Sequence, residues 1–181
     1  MPRNLNSLKH PYQPSLLAIF HLLSSLIRHV KTGNTVSKID IIIGTTLGNA
    51  EYVADEIATK LTDLGHEIQL NLAPIRTELM PDSLWFIVSS THGAGDLPDN
   101  IQPFFDEIEQ NKPDLSHQKF IICAIGDSSY DTFCHGPAKL NTLLEQRSAK
   151  AYVDKIEIDI QRDPIPEEAA LSWLSQWCDR L

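Results

Sequence analysis

Cysteine is scarce in this sequence. Cys123, Cys134 and Cys178 are the only three, an odd number at no metal-like spacing. That excludes a disulfide framework and a zinc site, and it suits a reducing, cytoplasmic setting. Long hydrophobic runs are also missing. None approaches the roughly 20 residues that span a bilayer, so no transmembrane segment is expected. Basic charge is in deficit: 15 Lys/Arg against 24 Asp/Glu leave a net charge of −9. With a pI near 5.1, binding of nucleic acid or anionic membranes through charge is disfavoured. No acid–base pair, nucleophile triad or metal constellation stands out, so no catalytic residue and no metal ligand is assigned.

What is present is an ordinary globular composition, 181 residues with 42% hydrophobic, enough for one domain with a full core. The charge is unevenly spread. Residues 1–37 carry Arg3, Lys9, Arg28 and Lys31 and no acidic residue, a net +4. Residues 38–181 hold the other 11 basic and all 24 acidic residues, a net −13. An acidic domain over 38–181 is therefore expected behind a basic extension over 1–37. Three readings of the extension stand side by side. Basic residues ahead of the apolar stretch Ser15–Ile27 fit a signal peptide, but no small-x-small cleavage site follows. Leu16, Ile19, Phe20, Leu23, Leu26, Ile27 and Val30 lie at helical spacing and fit an amphipathic helix. The plainest reading is an upstream extension without function, set by the choice of start site.

From Lys38 the pattern is regular. Ile39–Ile43 is short, β-branched and bounded by Gly44, and reads as a strand buried on both faces. Gly48–Leu64 carries a helical stripe through Ala50, Val53, Ala54, Ile57, Ala58 and Leu61, stopped by Gly65. His66–Leu72 alternates as a second strand and Leu84–Val88 is a third. Asp99 and Gln102 have the spacing of a capping box for a helix through about Gln110. Phe120–Ile125 is a fourth strand, Pro137–Arg147 a helix, Ala151–Ile160 a fifth strand and Pro166–Leu181 a terminal helix. Five strands alternating with helices predict an α/β fold, a doubly wound parallel sheet of order 2-1-3-4-5 with helices on both faces. Ligands in such sheets bind beyond the carboxyl ends of the strands, which selects the loops after strands one, three and four.

The first loop, Gly44-Thr45-Thr46-Leu47-Gly48-Asn49-Ala50-Glu51, enters a helix N-terminus and suits an anion. It lacks the Gly-Lys-Ser/Thr of a nucleotide P-loop and any Lys or Arg. A tight strand–helix turn with a threonine cap fits the same residues. The second loop, Ser89–Asn100, is small and polar, with Gly93 and Gly95 letting its backbone approach a flat ligand. The third, Gly126–Cys134, presents Tyr130, suited to stacking or to packing on its own helix.

Taken together, the three loops resemble the flavodoxin family. Ile43-Gly44-Thr45-Thr46-Leu47-Gly48-Asn49-Ala50-Glu51 is similar to its FMN-phosphate signature. Ser90-Thr91-His92-Gly93-Ala94-Gly95-Asp96 with Pro98-Asp99-Asn100 resembles the second flavin loop of diflavin-reductase FMN domains, and Gly126-Asp127-Ser128-Ser129-Tyr130 with Phe133 their third. The resemblance covers residues 38–181. It implies that Thr45, Thr46, Leu47, Gly48, Asn49 and Ala50 cradle the FMN phosphate. It implies that Ser90, Thr91, His92, Gly93, Ala94 and Gly95, with Gly126, Asp127, Ser128, Tyr130, Phe133 and Cys134, surround the ring. Tyr130 would stack on one face, and His92 stands where diflavin domains place a second aromatic. Asp127 departs from an Asn common in relatives.

The resemblance further implies an electron carrier rather than an enzyme, expected to be a monomer. Its donor would be an NADPH-dependent flavin reductase and its acceptor a redox enzyme with basic docking faces, such as a biotin synthase-type radical enzyme. An NAD(P)H-dependent quinone or flavin reductase of related fold is the competing reading, and a regulatory FMN-binding module without turnover a third.

Overall fold

The computed structural model of the chain describes residues 36–181; the helical stripe at 16–30 lies outside them. The strands are β1 (Lys38–Gly44), β2 (Glu67–Asn71), β3 (Leu84–Ser90), β4 (Lys119–Gly126), β5 (Lys150–Ala151) and β6 (Ile156–Asp159). The helices are α1 (Asn49–Asp63), α2 (Gln102–Asn111), α3 (His135–Gln146) and α4 (Pro166–Leu174). All strand pairings are parallel, in the order β2-β1-β3-β4-β5, with β6 also on β4.

The central strands are apolar on both faces because both are covered. Register places Ile41, Phe86 and Ile121 in one row across β1, β3 and β4, and Ile42, Ile87 and Ile122 in the next. The first row and its alternates pack under α1 and α4, against Val53, Ile57, Leu61, Ala170 and Leu174. The second row packs under α2 and α3, against Phe104, Ile108, Leu140 and Leu144. Trp85, Trp173 and Trp177 are core aromatics, with Trp173 and Trp177 edge-to-face at 5.1 Å. A polar exception is Asp40, fully buried in β1. Its carboxylate accepts from Asn71 Nδ2 (3.0 Å), Met80 N–H (2.9 Å) and Ser83 Oγ (2.6 Å), which satisfies the charge and pins the β2–β3 connection.

Three local expectations need correction. The terminal helix, expected through Leu181, ends at Leu174, and Cys178–Arg180 forms a separate 3-10 turn. The fifth strand over Ala151–Ile160 is in two pieces. Ala151 faces Phe120 and Ile156 faces Cys123 on β4, so the edge chain holds two more residues than its partner between these points. Residues 152–155 loop out as an extended bulge, and Tyr152 and Val153 pack on the core, Tyr152 against Trp177. The Asp99–Gln102 capping box does not form. Asp99 is exposed, the N–H groups of Ile101 and Gln102 turn back to Pro98 O, and Gln102 Nε2 donates to Asp106 Oδ1 at 2.7 Å. The helix starts two residues later than that spacing requires, with Pro103 in its first turn supplying no N–H to cap.

Candidate functional site

β1 ends against β3: a Cβ on Gly44 would stand 2.2 Å from Ser89 Oγ, so only glycine lets the chain leave the sheet here. Thr45 Oγ1 then accepts the Gly48 N–H at 2.9 Å, and Gly48 takes φ 91°, the left-handed turn that launches α1. The threonine-capped turn and the open helix N-terminus are thus one structure. Asn100 Oδ1 accepts the Thr45 N–H at 3.0 Å. The N–H groups of Thr46, Leu47, Asn49, Ala50 and Glu51 have no partner among the described residues. Leu47 is 89% exposed at the tip.

The second loop closes on itself. His92 N–H donates to Asp96 O at 2.8 Å and Asp96 N–H returns to His92 O at 2.9 Å, with Gly93 and Gly95 at φ 51° and 107° making the reversal. The start of α3 clamps it. Gly136 N–H donates to Thr91 Oγ1 at 3.2 Å, and a Cβ on Gly136 would lie 2.6 Å from Asp96 O. Lys139 pairs with Asp96 at 2.8 Å, holding its carboxyl below the ordinary range. Across the mouth of the site, His92 Nδ1 lies 3.3 Å from Thr46 Oγ1.

The third loop is ordered by two carboxylates. Asp127 accepts from Ser129 N–H (2.8 Å) and Gln161 Nε2 (3.0 Å). Asp159, at the end of β6, accepts from Ser128 N–H (3.0 Å) and Gln161 N–H (3.1 Å). Hydrogen bonds from Ser129 to Asp127, and from Ser128 to Asp159, hold both acids below their ordinary value. Phe133 and Cys134 pack over Gly126, whose Cβ would meet them at 2.7 and 2.9 Å. Tyr130 is left 66% exposed. Burial pushes the thiol of Cys134 up to about 12 and that of Cys123 up to about 12, so both stay protonated at neutral pH.

These loops enclose one cleft of about 540 Å³ at the carboxyl end of the sheet. From the expected set it brings together Thr45, Thr46, Leu47 and Asn49, then Ser90, Thr91, His92 and Gly93, then Gly126, Asp127, Tyr130, Phe133 and Cys134. Five others do not line it. Gly48 and Ala50 face the turn and the core, Ala94 and Ser128 are exposed or half-buried outside it, and Gly95 packs against His135 and Thr132. Ile125, Thr132 and Ile160 line the cleft without being expected from the sequence. The two isoleucines carry only a strand-end signal there.

The donor set fits a flavin mononucleotide. Unpaired amides at a helix N-terminus, flanked by the Thr45, Thr46 and Asn49 side chains, match a phosphate dianion. The cleft walls then run to exposed aromatic surfaces at Tyr130 and His92, which match a flat ring system. Fold and site together define a doubly wound flavin domain. The flavodoxin family model matches residues 41–173. The chain is 40% identical over 146 residues to Protein MioC of Escherichia coli (strain K12), covering 81% of this chain and 99% of that protein. It is 35% identical over 144 residues to Flavodoxin YqcA of the same strain, covering 78% and 97%. A solved cysteine-to-alanine mutant of flavodoxin from Pseudomonas aeruginosa matches with a TM-score of 0.71 at 30% identity, over 77% of this chain and 95% of that one. The chain belongs to the flavodoxin family. It is an FMN electron carrier of the flavodoxin and MioC type.

Proposed function

We propose that residues 38–181 form a carrier domain with FMN held phosphate-inward at the first loop and ring-outward at the second and third. The observation that carries this reading is the set of N–H groups of Thr46, Leu47, Asn49, Ala50 and Glu51, unpaired among the described residues, at the helix N-terminus by the cleft. Thr45, Thr46 and Asn49 supply side-chain donors beside them. Tyr130 covers one face of the ring and His92 the other, while the Gly93 backbone reaches its edge. FMN, when bound, supplies the one- or two-electron redox chemistry. The protein binds it, orients it and leaves one edge open to a partner.

The donor is an NADPH-dependent flavin reductase. The acceptor is a redox enzyme with a basic docking face, of which a biotin synthase-type radical enzyme is the example. Supporting this are the net −13 of residues 38–181 and the absence of Lys and Arg from all three loops. Three free, buried thiols support a cytoplasmic location, and a monomer presents the open edge to both partners in turn. Residues 1–37 stand outside this function as a basic extension.

One assay tests these points. The purified protein alone should not oxidise NADPH. With a flavin reductase added it should pass electrons to a cytochrome, at a rate that falls as salt rises. A chain starting at Val36 should perform equally, since every cleft residue lies beyond it. Rapid NADPH oxidation by the protein alone would replace this reading with that of a quinone or flavin reductase.

A further inference from the structure

Asn100 closes the second loop, lies half-buried and does not line the cleft. Its amide is nonetheless fully engaged. Nδ2 donates to Ile43 O at 2.7 Å and to Leu72 O at 2.7 Å, while Oδ1 accepts the Thr45 N–H at 3.0 Å. Two carbonyls and one N–H around one side chain fix which end is nitrogen, because only NH2 serves the first two and only the oxygen serves the third. The three partners come from the end of β1, the residue after β2 and the first residue of the phosphate loop. One side chain of the second loop therefore ties together the points where β1 and β2 leave the sheet.

We propose that Asn100 is a positioning residue for the phosphate loop, acting through Thr45 rather than touching FMN. By holding the Thr45 N–H it draws that amide away from the anion and fixes the residue whose Oγ1 accepts from Gly48. The turn is then set from both sides, and the N–H groups of Thr46, Leu47, Asn49, Ala50 and Glu51 are presented as a preformed cradle. Without Asn100 the loop must order itself around the phosphate at each binding event, and the cost falls on affinity. No side chain within the loop can replace the brace, since both of its carbonyl anchors lie outside it.

The inference rests on the phosphate assignment above, and the two can fail separately. The test measures dissociation constants for FMN and for riboflavin in the parent protein, Asn100→Ala and Asn100→Asp, with thermal melts of each apoprotein. Asn100→Asp keeps the shape and the acceptor for Thr45 but turns two donors into a charge facing two carbonyls. In both variants FMN affinity should fall by about tenfold or more, the consequence of leaving these groups unpaired. Riboflavin affinity should change by less than about threefold, because it places nothing in the cradle. In apoprotein hydrogen exchange, the Thr45 amide should lose protection in Asn100→Ala. A purely architectural residue would weaken both flavins together and leave their ratio fixed, and that result overturns the proposal. So does collapse of the fold in both variants, or an unchanged FMN affinity. A parent protein with no preference between the flavins overturns the phosphate assignment itself, and the inference with it.

Discussion

The two ends of the cleft are both built from backbone N–H groups, and they dispose of them in opposite ways. At the first loop the amides of Thr46, Leu47, Asn49, Ala50 and Glu51 are left open among the described residues, and the only acceptors spent are on Thr45 and Gly48. At the third loop the amides of Ser128, Ser129 and Gln161 are consumed by the carboxylates of Asp127 and Asp159. A loop that carries its own anions has no donors left for a ligand's anion, and its charge repels one. On the proposed reading, the phosphate end is set without a single Lys or Arg in any of the three loops, and the pairing of an open nest with a self-capped one decides which way round FMN lies.

Removing the ligand's phosphate should produce the largest effect, because it acts on the open nest alone. Each buried donor left unpaired costs about 1–3 kcal/mol, and several are involved, so FMN should bind more tightly than riboflavin by at least about 3 kcal/mol. Titration calorimetry or quenching of flavin fluorescence reads this directly. Inorganic phosphate should compete with FMN and leave riboflavin binding unchanged or improved. Equal affinities would mean that the two ends do not differ in the way described.

How much of this contrast was legible in the sequence depends on the range of the interactions. β1, β3 and β4 were legible because a strand buried on both faces is a continuous apolar run, and α1 because its stripe ends at a glycine. The loops followed from the topology, since the carboxyl ends of β1, β3 and β4 meet where the strand order turns. Four features were not legible. The break between β5 and β6 accompanies the packing of Tyr152 and Val153 on the core, with Tyr152 against Trp177, contacts with no local signature. The capping box at Asp99 is a correct local pattern that lost to a turn closed on Pro98 O. Asn100 reads as loop composition, yet its partners lie 55, 57 and 28 residues away. Asp159 was a strand-end residue in the sequence, and nothing there couples it to Ser128.

Truncating the ring wall should come second in size. Tyr130→Ala removes an exposed aromatic face at the closed nest's end of the cleft. FMN and riboflavin should both lose about 1–3 kcal/mol of binding, from ring contact and desolvation. Because Tyr130 is 66% exposed, the apoprotein's stability should move by less than about 0.5 kcal/mol. An equal loss for the two flavins is the sharper point. A loss confined to FMN would place Tyr130 at the phosphate, against the orientation argued here.

Acid should separate the two ends with the smallest signal. Asp127 and Asp159 are held below the ordinary carboxyl value of 3.8 in the folded domain, chiefly by hydrogen bonds from Ser129 and Ser128. A depressed folded value means stability that is present in full above 3.8 and lost as pH falls through the lower folded values. The third loop should loosen only below that point, and it should do so for FMN and riboflavin alike. The phosphate end answers to a different group, because a phosphate monoester dianion takes up a proton near pH 6 and then offers less charge to the nest, a change about 2 units earlier. FMN affinity should therefore weaken in two stages and riboflavin affinity in the lower one alone. Asp127→Asn, whose side-chain oxygen still accepts the Ser129 N–H, should bind both flavins near normally at neutral pH and lose part of the lower stage. If riboflavin also weakens near pH 6, the early stage belongs to the protein and not to the phosphate.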